Sequence, residues 1–127
     1  MLLMYGSDRI DAPPIDTWDP AEIKAHIQFM HDFNKKLVAE GEFVDAQGLS
    51  GEAMVVRATA GDLPEVTDGP FPEAKELLAG WWVIDVDSRD RAIEVAAGAS
   101  VAPGPGGAPL HLPIEVRPFA GPPPADA

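Results

Sequence analysis

The sequence of 127 residues contains no cysteine, which excludes disulfide bonds, thiolate metal sites and a cysteine nucleophile. Basic residues are scarce, with 9 Lys and Arg against 21 Asp and Glu, so the formal net charge is −12. So few cations argue against nucleic acid and anionic membranes as partners. No apolar run approaches the roughly 20 residues of a membrane span, and no basic flank marks a signal peptide. We therefore expect a cytoplasmic protein.

Proline and glycine are concentrated towards the C-terminus, where eight of the 14 prolines lie at or after position 103. The Pro103–Pro109 segment is therefore predicted to be a surface loop, and residues 120–127 a disordered Pro-rich tail. Residues 1–119 are expected to form one domain, because their length is typical of a single domain.

The clearest local signal is the start of a helix near residue 20. Asp19 is a suitable N-cap, Pro20 fits the first helical position, and Glu22 completes a capping box. Gly41 is predicted to end this helix in the left-handed conformation. The apolar positions predicted to face the core are Ile23, Ile27, Met30, Leu37 and Val38.

Strand-like and helix-like patterns alternate along the rest of the chain. Strands are predicted over 1–6, 42–47, 53–60, 65–67, 81–86 and 112–119, a helical turn over 72–78, and a second helix over 89–97 that Gly98 ends. This order predicts an α+β fold, a ferredoxin-like βαββαβ sandwich with an inserted β-hairpin. Both helices would cover one sheet face. Because the other face would be apolar and uncovered, two sheets are predicted to pack against each other in a homodimer.

One segment of the sequence resembles a known family. The Asp68-Gly69-Pro70-Phe71 motif is followed by Glu73, the pair Lys75-Glu76, the pair Gly80-Trp81 and a strand that ends in Asp85. This pattern is similar to the YCII-related (YciI-like) family, specifically the branch named for its Asp-Gly-Pro-Phe (DGPF) motif. Residues 2–6 and 114–119 also resemble that family, so the likeness covers about residues 1–119.

The resemblance implies a fold and an assembly more than an activity. Members of the family are ferredoxin-like and form dimeric α/β barrels, and a polar cleft with a histidine suggests enzymatic activity. Some relatives are encoded beside extracytoplasmic-function sigma factors, which hints at regulation. Counted back from Gly41, the family's helical histidine falls near Met30, one residue before His31.

Two groups of side chains are candidates for catalysis. His31 and Asp45 lie on a predicted helix and the following strand, and a carboxylate that orients an imidazole prepares a general base. The alternative is a boundary histidine and a solvated aspartate. Asp68, with Glu73 and Lys75 nearby, could bind a small polar ligand or move a proton, although a tight turn also explains this motif.

Trp81 and His111 are the remaining candidates for contact with a ligand. Trp81 and Trp82 must point to opposite faces of their strand, so one of them can form a pocket wall. His26 is predicted to be structural. No metal site is expected, because His26 and His31 are five residues apart and point in different directions from the helix.

Three functions therefore remain open. The first is a cofactor-independent enzyme that uses acid–base chemistry on a small polar molecule. The second is a non-catalytic module that binds a small ligand or a protein partner, and the third is an accessory subunit whose main role is barrel assembly. No nucleotide- or phosphate-binding motif is present, so no cofactor is expected.

Overall fold

The computed structural model describes residues 1–7, 12–58, 60, 61, 63–70 and 76–125. The helices and strands are β1 (Leu2–Ser7), α1 (Pro20–Ala39), β2 (Phe43–Gly48), β3 (Ala53–Arg57), β4 (Glu65–Gly69), β5 (Glu76–Ile84), α2 (Arg89–Ser100) and β6 (Ile114–Val116). Within this part of the chain, neither helix combines the length and the apolar character needed to cross a bilayer.

Four strands form the main sheet, in the order β2-β5-β1-β6, and each neighbouring pair is antiparallel. Strands β3 and β4 form a separate antiparallel pair. The prediction of a mixed α+β fold with antiparallel sheets and two helices is confirmed, and the strand order is compatible with a ferredoxin-like arrangement.

The first helix begins and ends where the sequence predicts. Asp19 is its N-cap, Pro20 is its first residue, and the Asp19 and Glu22 side chains form the reciprocal capping box. Gly41 follows the helix with a φ of 72°, a conformation that glycine adopts without a steric penalty.

The buried side of α1 is rotated relative to the predicted stripe. Ile27 and Val38, predicted to face the core, are 48% and 60% exposed, so this part of the prediction is wrong. Met30 and Leu37 contact the core as predicted, together with Phe33, and these three residues are spaced three and four residues apart. The helix has apolar residues on several sides. Because α1 lies over only part of the sheet, only one of these sides is buried.

Both helices share one hydrophobic core with one face of the sheet. The fully or nearly fully buried side chains in contact with one another are Leu2, Leu37, Trp82, Val95, Ala96 and Ala99. Because α1 and α2 contribute to the same cluster as Leu2 and Trp82, the two helices lie on the same sheet face. Pleating then directs the neighbouring residues Leu3 and Trp81 to the opposite face.

The second helix is longer than predicted. Gly98 was expected to end it, but α2 continues to Ser100. A Cβ atom on Gly98 would lie 3.2 Å from Cε2 of Phe33 in α1, so glycine here allows the two helices to approach closely. Packing between helices, rather than helix termination, explains this residue. Ser88 is the N-cap, and its hydroxyl accepts a hydrogen bond from the Arg91 amide.

We expect Gly98→Leu to lower the free energy of unfolding by about 1–3 kcal/mol, because its side chain overpacks the contact with Phe33. Ala97→Leu is the matched control, since Ala97 is exposed on the same turn and its replacement should cost less than about 0.5 kcal/mol. Urea unfolding followed by circular dichroism compares the two. Equal stability of both variants would contradict a close contact at Gly98.

Several strand boundaries also differ from the predictions. The helical turn predicted over 72–78 is wrong for Glu76–Leu78, which open β5 and pair with β1, while 72–75 lie outside the described residues. Strand β5 ends at Ile84 rather than at residue 86. The last strand covers only Ile114–Val116 instead of 112–119, because Pro113 and Pro118 flank it and have no N–H for the sheet.

Candidate functional site

His26, in the second turn of α1, lies at the centre of the candidate site. Its Nδ1 atom is 2.9 Å from the carbonyl oxygen of Pro103, and its ring meets the Trp18 ring edge-on at a centroid distance of 5.6 Å. These two contacts hold the imidazole from both sides. The histidine is therefore oriented by the fold rather than free to rotate in solvent.

The hydrogen bond to Pro103 determines the chemistry of the other ring nitrogen. A carbonyl oxygen only accepts hydrogen bonds, so Nδ1 of His26 must carry the proton. Nε2 of the neutral imidazole is then an acceptor. Nε2 has no hydrogen bond to a described residue. Every buried side-chain nitrogen or oxygen in the described part of the chain has a hydrogen-bond partner. Since Nε2 has none, it is not buried and is accessible to a molecule from outside.

The segment before α1 forms one wall of the site. Trp18 is only 8% exposed, and its Nε1 donates a hydrogen bond of 2.8 Å to the carbonyl of Pro13. Thr17 donates from Oγ1 to the carbonyl of Pro14 at 2.6 Å. A short 3₁₀ turn over Ile15–Thr17 and the buried indole of Trp18 attach this segment to the body of the protein.

The Gly- and Pro-rich segment after α2 forms the opposite wall. It was predicted to be a surface loop, and residues 106–109 are exposed, whereas Gly104 is buried and Pro103 and Pro109 form an isolated antiparallel bridge. The Glu22 carboxylate accepts a short hydrogen bond from the amide of Gly106, which ties the loop to the first turn of α1. The Pro103 carbonyl is thereby held against His26.

A cavity of about 510 Å³ lies between these walls and the end of the main sheet. This volume falls within the usual range for small-molecule sites. Most of its surface is apolar, and the polar residues that border it among the described ones are His26 and Tyr5. The other residues around it are Met4, Gly6, Ala12, Pro13, Pro14, Ile15, Trp18, Ala79, Leu110 and Leu112.

A second, smaller cavity of about 230 Å³ adjoins the same histidine. Met4 and His26 border both cavities, so His26 lies between them. Asn34 lines the smaller cavity; its Oδ1 accepts a hydrogen bond of 2.8 Å from Trp82 Nε1, which leaves its NH₂ group without a hydrogen bond to a described residue. Gly48 and Gly80 also border it, and their lack of side chains contributes space.

The structure does not bring His31 and Asp45 together. His31 is exposed on α1 and lines none of the cavities described in this part of the chain. Asp45 is also exposed, and its Oδ1 accepts from the amide of Ala46, its neighbour in β2. Because Ala46 packs against the core below the helices, Asp45 points to the other sheet face. His31 and Asp45 therefore do not form the predicted pair.

The other candidate residues are dispersed. Asp68 is exposed near the end of β4, where it pairs with Met54, and Pro70 follows in a bend; Phe71, Glu73 and Lys75 lie outside the described residues. Trp81 borders the smaller cavity. His111 is exposed and has a φ of 53°; its neighbours Leu110 and Leu112 line the larger cavity.

The sequence did not predict that His26 lies beside the cavities. One signal was present: His26, Met30 and Asn34 are four residues apart, so they share one side of α1, and all three border the smaller cavity. The partner of the imidazole left no signal, because it is a backbone carbonyl 77 residues away. Among the described residues, no group of three or more His, Asp and Glu side chains is placed to hold a metal ion.

A separate cluster of charges joins the end of α1 to the start of α2. The Arg91 guanidinium donates from Nε and Nη2 to the two carboxylate oxygens of Glu42, at 2.9 and 2.6 Å. Its Nη2 also reaches Glu40 at 2.5 Å and its Nη1 reaches Glu94 at 3.1 Å. The hydrogen bond from Arg91 is the main cause that lowers the pKa of Glu42 from 4.5 to about 2.

This pKa shift predicts a loss of stability in acid. Since the pKa of Glu42 is lower in the folded state, its interaction with Arg91 stabilises the fold above pH 4.5 and is lost as the pH falls towards 2. We therefore expect the gap in unfolding free energy between wild type and Arg91→Ala to be largest near neutral pH and to shrink below pH 4.5. Urea unfolding at several pH values measures this gap.

Arg89→Ala provides the matched control for this experiment. Arg89 is exposed in the same turn of α2 and has no ion pair with a described residue, so its removal should leave the acid dependence unchanged. A gap for Arg91→Ala that stays constant between pH 7 and pH 3 would contradict the assigned pKa shift of Glu42.

Comparison with known proteins gives two findings. The family model of the YCII-related domain matches residues 13–104, which is more than half of the chain. A protein of Rhizobium meliloti (strain 1021), described as uncharacterized, is 30% identical over 121 residues, which are 94% of this chain and 90% of the relative.

Proposed function

The chain belongs to the YCII-related family, and from this premise we propose that it binds a small, largely apolar molecule in the cavities beside His26. The observation that carries the proposal is an accessible, oriented imidazole nitrogen in a cavity of about 510 Å³ with apolar walls. A few polar groups within an apolar cleft are the usual composition of a small-molecule site.

Acid–base catalysis by His26 is the second candidate function. The Pro103 carbonyl fixes the tautomer with the proton on Nδ1, which leaves Nε2 free to take a proton from a bound molecule. In this proposal the carbonyl does the orienting that the sequence argument assigned to Asp45. Isomerase, lyase and hydrolase chemistry are all compatible with a single base of this kind.

A binding screen with two histidine variants tests the proposed function. Thermal unfolding is followed against a panel of small metabolites, and a ligand that stabilises wild type is expected to lose most of its effect in His26→Ala. His31→Ala is the matched control, because His31 is exposed on the same helix away from both cavities. Equal stabilisation of His26→Ala and wild type by every ligand that binds would contradict a site at His26.

The catalytic candidate is tested with the ligands found in this screen. Turnover by wild type that is lost in His26→Ala, while the fold and His31→Ala activity are retained, would support catalysis. Saturable binding without turnover would assign the protein to the non-catalytic class. Both outcomes keep the cavity as the site and separate its two possible uses.

We further propose that the chain belongs to the DGPF branch and forms a homodimer through the free face of the main sheet, as a dimeric α/β barrel in which β3–β4 is the inserted hairpin. Roles for Asp68, Glu73, Lys75, Trp81 and His111, the boundary between residues 1–119 and the tail, and a cytoplasmic location stay predictions.

A further inference from the structure

We infer that the site at His26 selects molecules that present an O–H or N–H donor, such as alcohols and amines, over carboxylates and ethers of the same size. This inference rests on the proposed function and names the class of its ligand. It depends on three features of the described residues: the tautomer of His26, the charge of the cavity walls and the shape of the two cavities.

The tautomer determines which partner Nε2 accepts. Because Nδ1 donates to the Pro103 carbonyl at 2.9 Å, the neutral ring offers only a lone pair at Nε2. A ligand hydroxyl or amine can donate to this lone pair. An ether oxygen or a carboxylate oxygen cannot, and its own lone pairs would face that of Nε2.

The charge of the walls also disfavours an anion. Among the described residues around the two cavities there is no Lys or Arg side chain to pair with a carboxylate or phosphate. The chain as a whole carries a net charge of −12, which repels anions further. A buried anion without a cationic partner is costly, whereas a neutral hydroxyl carries a much smaller desolvation cost.

The shape of the site predicts where the rest of the ligand lies. The larger cavity, with Trp18 and Met4 in its walls, offers apolar contact to a ring or a branched chain. The donor group would then lie at His26, where the two cavities meet. In the smaller cavity the NH₂ of Asn34, which has no hydrogen bond to a described residue, can donate to a further oxygen of the ligand.

Four probes with one common apolar body test this inference. Phenylbutanol carries a neutral donor, and phenylbutylamine carries a cationic one, because an alkylamine is protonated at pH 8; phenylbutyl methyl ether and phenylbutanoate carry no donor. Binding to the full chain is measured by calorimetry at about pH 8, the upper end of the range in which histidine side chains change charge. We expect the alcohol to bind about tenfold more tightly than the ether, because one ordinary hydrogen bond changes a dissociation constant by about this factor. We expect the carboxylate to bind more weakly than the ether.

His26→Phe provides the matched variant, since it retains an aromatic ring and removes both nitrogens. The difference between alcohol and ether should disappear in this variant. Equal affinities of alcohol, ether and carboxylate for wild type, all reduced in His26→Ala, would overturn the donor selectivity and leave a binding site at His26 intact. Failure of the alcohol and the amine to bind would also overturn the inference, and the metabolite screen would then decide on the proposed function.

A second measurement does not depend on any ligand. Long-range nitrogen–proton NMR spectra distinguish a histidine protonated at Nδ1 from one protonated at Nε2. We expect the Nδ1–H form for His26, because Pro103 accepts its proton. The Nε2–H form would overturn the inference, since that nitrogen would then be a donor.

Discussion

Replacement of Trp82 by alanine is expected to lower the free energy of unfolding by about 3–5 kcal/mol, the usual cost of removing a large aromatic side chain from a core. Trp82 is 4% exposed and packs edge-on against Phe33 of α1, with ring centroids 5.7 Å apart. Its partners in the cluster come from both helices and from β1. The change therefore removes contacts that hold the two helices on the sheet. Urea unfolding measures the loss.

Two further variants separate the causes of this loss. Trp82→Phe keeps most of the apolar contact but removes the hydrogen bond to Asn34, so it should cost about 1–3 kcal/mol, the range for a buried polar group left unpaired. Ile27→Ala is the exposed control and should change stability by less than about 0.5 kcal/mol. A loss below 1 kcal/mol for Trp82→Ala would contradict the position assigned to Trp82 in the core.

The features of the fold that could be predicted depend on interactions between residues close together in the sequence. The capping box of Asp19 and Glu22 and the glycine at position 41 each act within a few residues, so the bounds of α1 could be predicted closely. The aromatic and β-branched residues around Trp82 similarly marked β5. Local chemistry of this kind is independent of what the rest of the chain does.

The parts that could not be predicted depend on contacts between distant segments. Gly98 is a helix stop by local rules, and only the approach of Phe33 from another helix explains its place inside α2. Residues 76–78 form a strand because β1 offers hydrogen-bond partners, not because of their own sequence. Ile27 and Val38 fit an apolar stripe, and the position of α1 over the sheet leaves them exposed.

The candidate site shows the same division. A histidine on a helix is visible in the sequence, but its function depends on its neighbours in space. His26 acquires an oriented imidazole from the Pro103 carbonyl and the Trp18 ring, and neither contact has a sequence pattern. The sequence favoured His31 and predicted a structural role for His26, yet His31 faces solvent and His26 borders the cavities. The sequence could therefore place both histidines on α1 but could not show which of them lies beside a cavity.

The free face of the main sheet, which the helices do not cover, is the proposed dimer interface, and we expect substitutions on it to change the oligomeric state. Both helices pack on the sheet face that carries Leu2 and Trp82. Neither of these described helices packs extensively against the opposite face of the sheet. The register places Leu3, Tyr5, Trp81 and Leu78 on that second face; Leu78 is exposed, Tyr5 and Trp81 are half-buried, and Leu3 is already buried in the single chain. An apolar sheet face of this kind supports the proposal that a second copy covers it in a symmetric dimer.

Leu78→Asp is expected to dissociate this dimer and leave a particle of 13.5 kDa. Leu78 pairs with Tyr5 and is 39% exposed in the single chain, so a carboxylate there is tolerated by the fold but would be buried without a partner in the dimer. We expect the dimer to dissociate at least about 100-fold more readily, which corresponds to a loss of about 3 kcal/mol. Sedimentation equilibrium over a range of concentrations measures this change.

Leu77→Asp is the closest control that the chain offers. Leu77 adjoins Leu78 in β5 and is 41% exposed, but it pairs with Gly6 and points to the opposite face of the strand. Both variants add one negative charge to the same strand, so any general repulsion between acidic chains affects them equally. If the dimer uses the free sheet face, Leu77→Asp should remain dimeric. Dissociation of both variants to the same extent, or a wild-type protein that is monomeric at all concentrations, would contradict assembly through this face.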